Sequence, residues 1–194
     1  MRLSDKFNLS SFDETKSFLL KKLSKLIPEF EINEKAKLVF KINQMKQKED
    51  VVVLGHNYME PALYHGVADY TGDSLELCRL AQSASQQYIV FLGVEFMAES
   101  AKILNPTKTV LLPSLKAGCS LASSIKAQDV RDLRTKYPGV PVVTYINTYA
   151  DVKAETDVCC TSSNAVDIVR KLKSPRVIFI PDEYLAQNVA AELP

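Results

Sequence analysis

The segment Asp69–Pro106 recurs without insertion as Asp157–Pro194, at a constant offset of 88 residues from 69 to 157 and from 106 to 194. Under it Asp69 meets Asp157, Ser74 meets Ser162, Phe91 meets Phe179, Glu95 meets Glu183, Ala98 meets Ala186 and Pro106 meets Pro194. Apolar runs coincide too: Ile89-Val90-Phe91-Leu92 lies over Val177-Ile178-Phe179-Ile180. Upstream, Val51–Leu54 before His56-Asn57-Tyr58 resembles Val142–Tyr145 before Asn147-Thr148-Tyr149, with a small shift of register. A period of this length implies one supersecondary unit used repeatedly. The first copy continues to a lone Cys119, while the second stops before an equivalent, so a longer protein is expected.

Local patterns give the unit its class. Ser11-Phe12-Asp13-Glu14 reads as a capping box, followed at helical spacing by Leu19, Leu20, Leu23, Leu26 and Ile27 up to Pro28. A second helix is expected from about Asn33 to Lys48, with Leu38, Val39, Ile42 and Met45 facing inward. Val51–Leu54 is all apolar, as in a parallel strand covered on both faces. Strands are then expected at Tyr88–Gly93, Thr109–Leu112, Val142–Ile146 and Arg176–Ile180. They alternate with helices at Ser74–Gln86, Glu95–Leu104, Gln128–Lys136, Ser162–Lys171 and Glu183–Glu192. Such alternation predicts an α/β protein of αβα sandwich units with short parallel sheets. The expected domains are 1–34 (a helical extension), 35–122 (first repeat) and 123–194 (second, incomplete repeat), with Pro113–Lys126 linking the copies.

Charge and composition exclude several functions. Lys+Arg 24 against Asp+Glu 23 leaves a net charge of +1, which makes no case for nucleic acid or an anionic membrane. No apolar run approaches a membrane span, and Met1–Ser11 lacks the apolar core of a signal peptide, so a cytoplasmic protein is expected. The four cysteines, at 78, 119, 159 and 160, suit neither a disulfide framework nor a CxxC zinc site.

Ligands of open parallel sheets bind beyond the carboxyl ends of the strands. His56 and Tyr58, directly after the first strand, could transfer protons or orient a substrate, or simply pack in a loop. Ser74 and Ser162 each precede or open a helix, where a hydroxyl and free N–H groups hold an anion or form an ordinary cap. Tyr145 and Asn147 end the strand equivalent to the one before His56; Asn147 could bind a carboxylate or carbonyl, or stabilise a turn. Glu95 and Glu183 need no more than the helix dipole to explain them. Cys119, in Ala117-Gly118-Cys119-Ser120, is compatible with a soft metal or with a small buried side chain. Cys78 fits the latter, and Cys159-Cys160 is expected to fill a short strand.

Six segments in order carry a resemblance: His56-Asn57-Tyr58, Ala68–Leu75, Phe96–Glu99, Gly118–Leu121, Tyr145–Thr148 and Cys160–Ala165. Together they resemble the quinolinate synthases, over roughly residues 35–194. The resemblance implies three αβα domains in pseudo-threefold symmetry around a [4Fe–4S] cluster held by one cysteine from each. It implies condensation of iminoaspartate with dihydroxyacetone phosphate to quinolinate, precursor of the NAD pyridine ring, the cluster acting as a Lewis acid. An L-aspartate oxidase or dehydrogenase is the implied supplier of iminoaspartate. Carried over, Cys119 matches a cluster ligand, His56 and Tyr58 match groups for proton transfer and substrate orientation, Ser74 and Ser162 match anion contacts, and Tyr145 and Asn147 match residues orienting the intermediate.

The same resemblance calls for two further cluster cysteines, other histidines and acidic residues, and a third domain. One repeat beyond Cys119 falls near position 207, past Pro194. The chain by itself is therefore expected to lack a complete cluster and synthase activity. The rivals are a truncated, non-catalytic binding module for a phosphorylated or dicarboxylate ligand, and a folding or interaction remnant without a ligand.

Overall fold

A computed structural model of the chain describes residues 11–193. Of the Met1–Ser11 segment all but Ser11 lies outside that range, as does Pro194, the partner of Pro106 in the repeat. The described chain divides into two compact units between Ala117 and Gly118, inside the small-residue segment Pro113–Lys126.

The first unit opens with α1 (Phe12–Leu23), whose first turn is capped by the Ser11 hydroxyl accepting the Glu14 N–H at 3.2 Å. Helix α2 (Glu29–Lys48) starts directly after Pro28, about one turn earlier than the apolar pattern predicts. Proline cannot continue α1 but is tolerated where a helix begins, and Glu29 and Glu31 favour the positive end of the dipole. The buried face of α2 is Ile32, Ala36 and Val39, at spacings of four and three. Leu38 and Met45, expected to face inward, are instead 62% and 55% exposed. Leu38 stands a full residue step, about 100°, around the helix from Val39.

Strand β1 (Val51–His56) leads through the short helix α3 (Pro61–Gly66) to β2 (Tyr70–Gly72). Then follow α4 (Ser74–Ser83), β3 (Tyr88–Leu92), α5 (Glu95–Leu104) and β4 (Thr109–Leu111). The sheet is wholly parallel in the order β2-β1-β3-β4. Alternate residues of β1 serve opposite faces. Val53 joins Leu19, Leu23, Ile32, Ala36, Val39 and Leu92 in the core beneath the N-terminal helices. Val52 and Leu54, also buried, belong to the other face, where α4 packs on β1 and against α5. Cys78 is buried there, its sulfur 3.8 Å from the Met97 carbonyl, the small-hydrophobe role expected of it.

The second unit holds a 3-10 turn (Ala122–Ser124), α6 (Ala127–Lys136), β5 (Val142–Tyr145), α7 (Ala150–Ala154) and β6 (Val158–Cys160). It continues with α8 (Ala165–Leu172), β7 (Ile178–Ile180) and α9 (Glu183–Ala191). Its parallel sheet runs β6-β5-β7, the order of β2-β1-β3. Val142 and Ile180 pack with Val130 and Val152 on one face, whereas Val143 and Cys160 pack with Ala165 and Val189 on the other. Cys159 is exposed and Cys160 buried, the alternation expected of a strand.

Sheet register refines the repeat. Leu54 pairs with Tyr70 in one unit and Val143 with Val158 in the other. Tyr70 and Val158 differ by the common 88, but Leu54 and Val143 differ by 89, so β5 is shifted by one residue. By that register Tyr145, rather than Asn147, occupies the place of His56. The short elements β2, α3 and α7 escape the sequence reading because three to six residues are too few to display a period.

Candidate functional site

In parallel sheets every strand ends at the same edge, and most of the candidate side chains stand on two such edges. In the first unit His56 is the last residue of β1 and pairs with Gly72, the last of β2. The chains meet closely: a Cβ at Gly55 would lie 2.7 Å from the Ala68 Cβ, a separation real side chains do not adopt. Beyond β1 the chain turns, with Met59 N–H bonding the His56 carbonyl at 3.0 Å, and folds Tyr58 onto His56. The two rings lie 4.0 Å apart at 45°.

The Tyr58 N–H donates to His56 Nδ1 at 3.4 Å. With Nδ1 engaged as an acceptor, the neutral imidazole carries its proton on Nε2. Burial lowers the His56 pKa below its ordinary value, and the nearby Asp73 carboxylate opposes that shift. The ring is thus neutral near pH 7 and offers an N–H donor. The Tyr58 hydroxyl donates to the Met97 sulfur at 3.6 Å while the residue as a whole stays 53% exposed. Ser74 is buried at the first position of α4, just after Asp73, whose carboxylate caps the helix through the Glu76 N–H at 2.9 Å.

In the second unit Tyr145 closes β5 opposite Cys160, and the Ile146 N–H extends the ladder to the Cys160 carbonyl at 2.8 Å. Half-buried Asn147 follows on a loop fixed by two fully buried threonines. Thr144 and Thr148 hydroxyls lie 3.2 Å apart, and Thr148 donates to the Tyr145 carbonyl at 3.1 Å. For Thr144 the signal in the sequence is a polar residue inside an apolar strand run; Thr148, in the loop beyond β5, carries no such signal.

Ser162 departs from expectation. It is exposed in the turn after β6, and α8 begins only at Ala165. The Asn164 side-chain oxygen accepts the Thr161 N–H at 2.7 Å, closing a polar turn where a helical start was expected. Ser162 is thus a strand-end residue, and its local setting differs from that of Ser74.

Cys119 is a free, half-buried cysteine in the turn that opens the second unit. Its carbonyl accepts both the N–H and the hydroxyl of Ser123, at 2.9 and 3.0 Å. Among the described residues no three His, Cys, Asp or Glu side chains form a group able to hold a metal ion. Burial, with Cys159 alongside, pushes the Cys160 thiol up to about 12, which keeps it protonated near neutral pH. The described residues thus do not assemble the donor set of an iron–sulfur cluster.

His56, Tyr58 and Ser74 gather at one carboxyl edge, and Tyr145, Asn147 and Ser162 at another. These features define a duplicated α/β protein of the parallel, layered class, its polar side chains placed where that class binds ligands. Residues 40–194 match the family described as NadA, quinolinate synthetase A protein, and the chain belongs to that family. It is 54% identical over 184 residues to quinolinate synthase 2 of Mesorhizobium japonicum, covering 95% of this chain and 57% of that protein. It is 55% identical over 174 residues to the quinolinate synthase of Sinorhizobium fredii, covering 90% and 48% respectively. For the Agrobacterium fabrum quinolinate synthase the identity is 58% over 151 residues, covering 78% and 44%. The chain thus spans about half the length of the curated relatives it matches. No helix among the described residues is long and apolar enough to cross a membrane.

Proposed function

We propose that this chain supplies two of the three αβα domains of a cytoplasmic quinolinate synthase, condensing iminoaspartate with dihydroxyacetone phosphate to form quinolinate for NAD biosynthesis. The observation that supports this most is the placement of His56, Tyr58 and Ser74 at one carboxyl edge, within a chain of this family. Neutral His56 offers its Nε2–H as a hydrogen-bond donor that orients and polarises a substrate oxygen. Tyr58, ring against ring with His56, carries an exchangeable phenolic proton, directed in this structure to the Met97 sulfur. Ser74 and Ser162 contact the anionic groups of substrate and product, and Tyr145 and Asn147 orient the intermediate.

A [4Fe–4S] cluster supplies Lewis acidity when bound. Cys119 is the thiol of this chain assigned to it, and the remaining ligands come from outside the described residues. An L-aspartate oxidase or dehydrogenase supplies the iminoaspartate.

The test has two parts. The gene should encode, past the Pro194 codon, a cysteine near position 207, one repeat beyond Cys119. The complete protein, reconstituted anaerobically with iron and sulfide, should form quinolinate, and Cys119→Ser should lose bound iron and activity together. Binding of phosphorylated or dicarboxylate ligands without iron or turnover would instead favour a binding module.

A further inference from the structure

We infer that Ser123 and Tyr149 are positioning residues that lock the Cys119 turn to the rim of the second sheet. The Ser123 hydroxyl gives its single proton to the Cys119 carbonyl at 3.0 Å. It also lies 3.3 Å from the Tyr149 hydroxyl. A hydroxyl has one proton to give, so the phenol must donate in this second contact. The relay runs from Tyr149 to Ser123 to the carbonyl of Cys119, reinforced by the Ser123 N–H on the same carbonyl at 2.9 Å. Gly118 lies under the same phenol: a Cβ built there would stand 3.8 Å from the Tyr149 oxygen.

The anchor is stiff. Tyr149 follows Thr148, whose hydroxyl is tied to the Tyr145 carbonyl and whose carbonyl accepts the Lys153 ammonium. Tyr149 is also the residue from which α7 starts. The turn bearing Cys119 is therefore fastened to the loop that follows Tyr145 and bears Asn147, some thirty residues further along the chain. A thiolate that must meet a cluster in one place gains from such support, because outer partners fix the direction of metal ligands. That consequence rests on the proposed ligand role of Cys119; the lock itself does not.

The test uses the 194-residue chain and needs no cluster. Amide exchange at position 123 and site-resolved alkylation of Cys119 by iodoacetamide are compared among variants. Tyr149→Phe and Ser123→Ala should each speed both by about tenfold, the loss of roughly one net hydrogen bond. Ser123→Thr, which keeps the hydroxyl, should stay near wild type, and exchange in α6 and β5 should not change. Unaltered exchange and alkylation in Tyr149→Phe would overturn the proposal, as would equal behaviour of Ser123→Thr and Ser123→Ala. Should Tyr149→Phe loosen β5 as well, Ser123→Ala decides, since it leaves the phenol in place. Bound iron in the complete, reconstituted Cys119→Ser protein tests the ligand role separately, so either reading can fail alone.

Discussion

Asp69 and Val53 exchange hydrogen bonds in both directions: the Asp69 carboxylate accepts the Val53 N–H at 2.8 Å, and the Val53 carbonyl accepts the Asp69 N–H at 2.8 Å. The second unit repeats the device with Asp157 and Val142, at 2.7 and 3.0 Å. Each carboxylate also meets a cation from the helix before its central strand, Lys46 at 2.8 Å and Arg134 at 2.9 Å. Lys46 and Arg134 are themselves related by the 88-residue offset. The repeat thus carries a clamp that holds the loop before each edge strand to the central strand.

The two clamps differ in burial. Lys46 and Asp69 side chains are 10% and 16% exposed, whereas Arg134 and Asp157 are 38% and 41% exposed. Asp69→Ala leaves a buried ammonium without its carboxylate and should lower stability by about 3 kcal/mol. Asp157→Ala, whose ion pair is screened by solvent, should lower it less, by about 1–2 kcal/mol, chiefly through the lost acceptor of the Val142 N–H. Urea unfolding of both variants checks the order; equal losses would contradict it.

Acid should weaken the second clamp. The Val142 N–H, and after it Arg134, hold the Asp157 carboxyl below the ordinary carboxylate value, against an opposing effect of burial. A depressed folded pKa contributes stability above the unfolded value, and that contribution disappears as pH falls through the folded one. The unfolding midpoint of wild type should therefore fall between the ordinary and the depressed pKa more than that of Asp157→Asn. Parallel pH curves for the two proteins would show that Asp157 contributes nothing.

Burial outweighs Asp73 at His56, so the imidazole should titrate below its ordinary 6.5. Asp73→Asn keeps a capping oxygen but removes the charge, and should lower the His56 midpoint further. NMR titration of the ring protons measures both shifts. Because the folded ring binds protons less readily than the unfolded one, this group opposes folding at low pH, and its penalty is relieved as pH rises through the window up to 6.5.

Gly55→Ala places a methyl group 2.7 Å from the Ala68 Cβ, where neither backbone can withdraw without disturbing the ladder. The expected destabilisation is about 1–3 kcal/mol, read as a lower thermal midpoint. The adjacent His56–Tyr58 pair should loosen with it, visible as altered chemical shifts of both rings.

Thr148→Val removes a hydroxyl that donates to the Tyr145 carbonyl and pairs with Thr144. It should lower stability by about 1–2 kcal/mol and speed exchange in the loop around Asn147. Unchanged exchange there would mean that the backbone alone holds Asn147 in place.

Much of the molecule was legible in the chain because its signals are local. The apolar runs at Val51, Tyr88 and Val142 mark central strands, and the residues after them mark the ligand-facing edge wherever those strands run parallel. The 88-residue identities established duplication, including the paired aspartates at 69 and 157. What tertiary structure decided is non-local. The one-residue slip that sets Tyr145, not Asn147, in the place of His56 depends on hydrogen bonds to β6 and β7. Leu38 and Met45 look inward by hydropathy, yet Ile32, Ala36 and Val39 had already set the face that meets the core. Ser162 resembles Ser74 in sequence but closes a turn, because Asn164 captures the Thr161 N–H before α8 begins. The fastening of Cys119 to Tyr149 crosses thirty residues with no shared periodicity, so only folding could bring the two together.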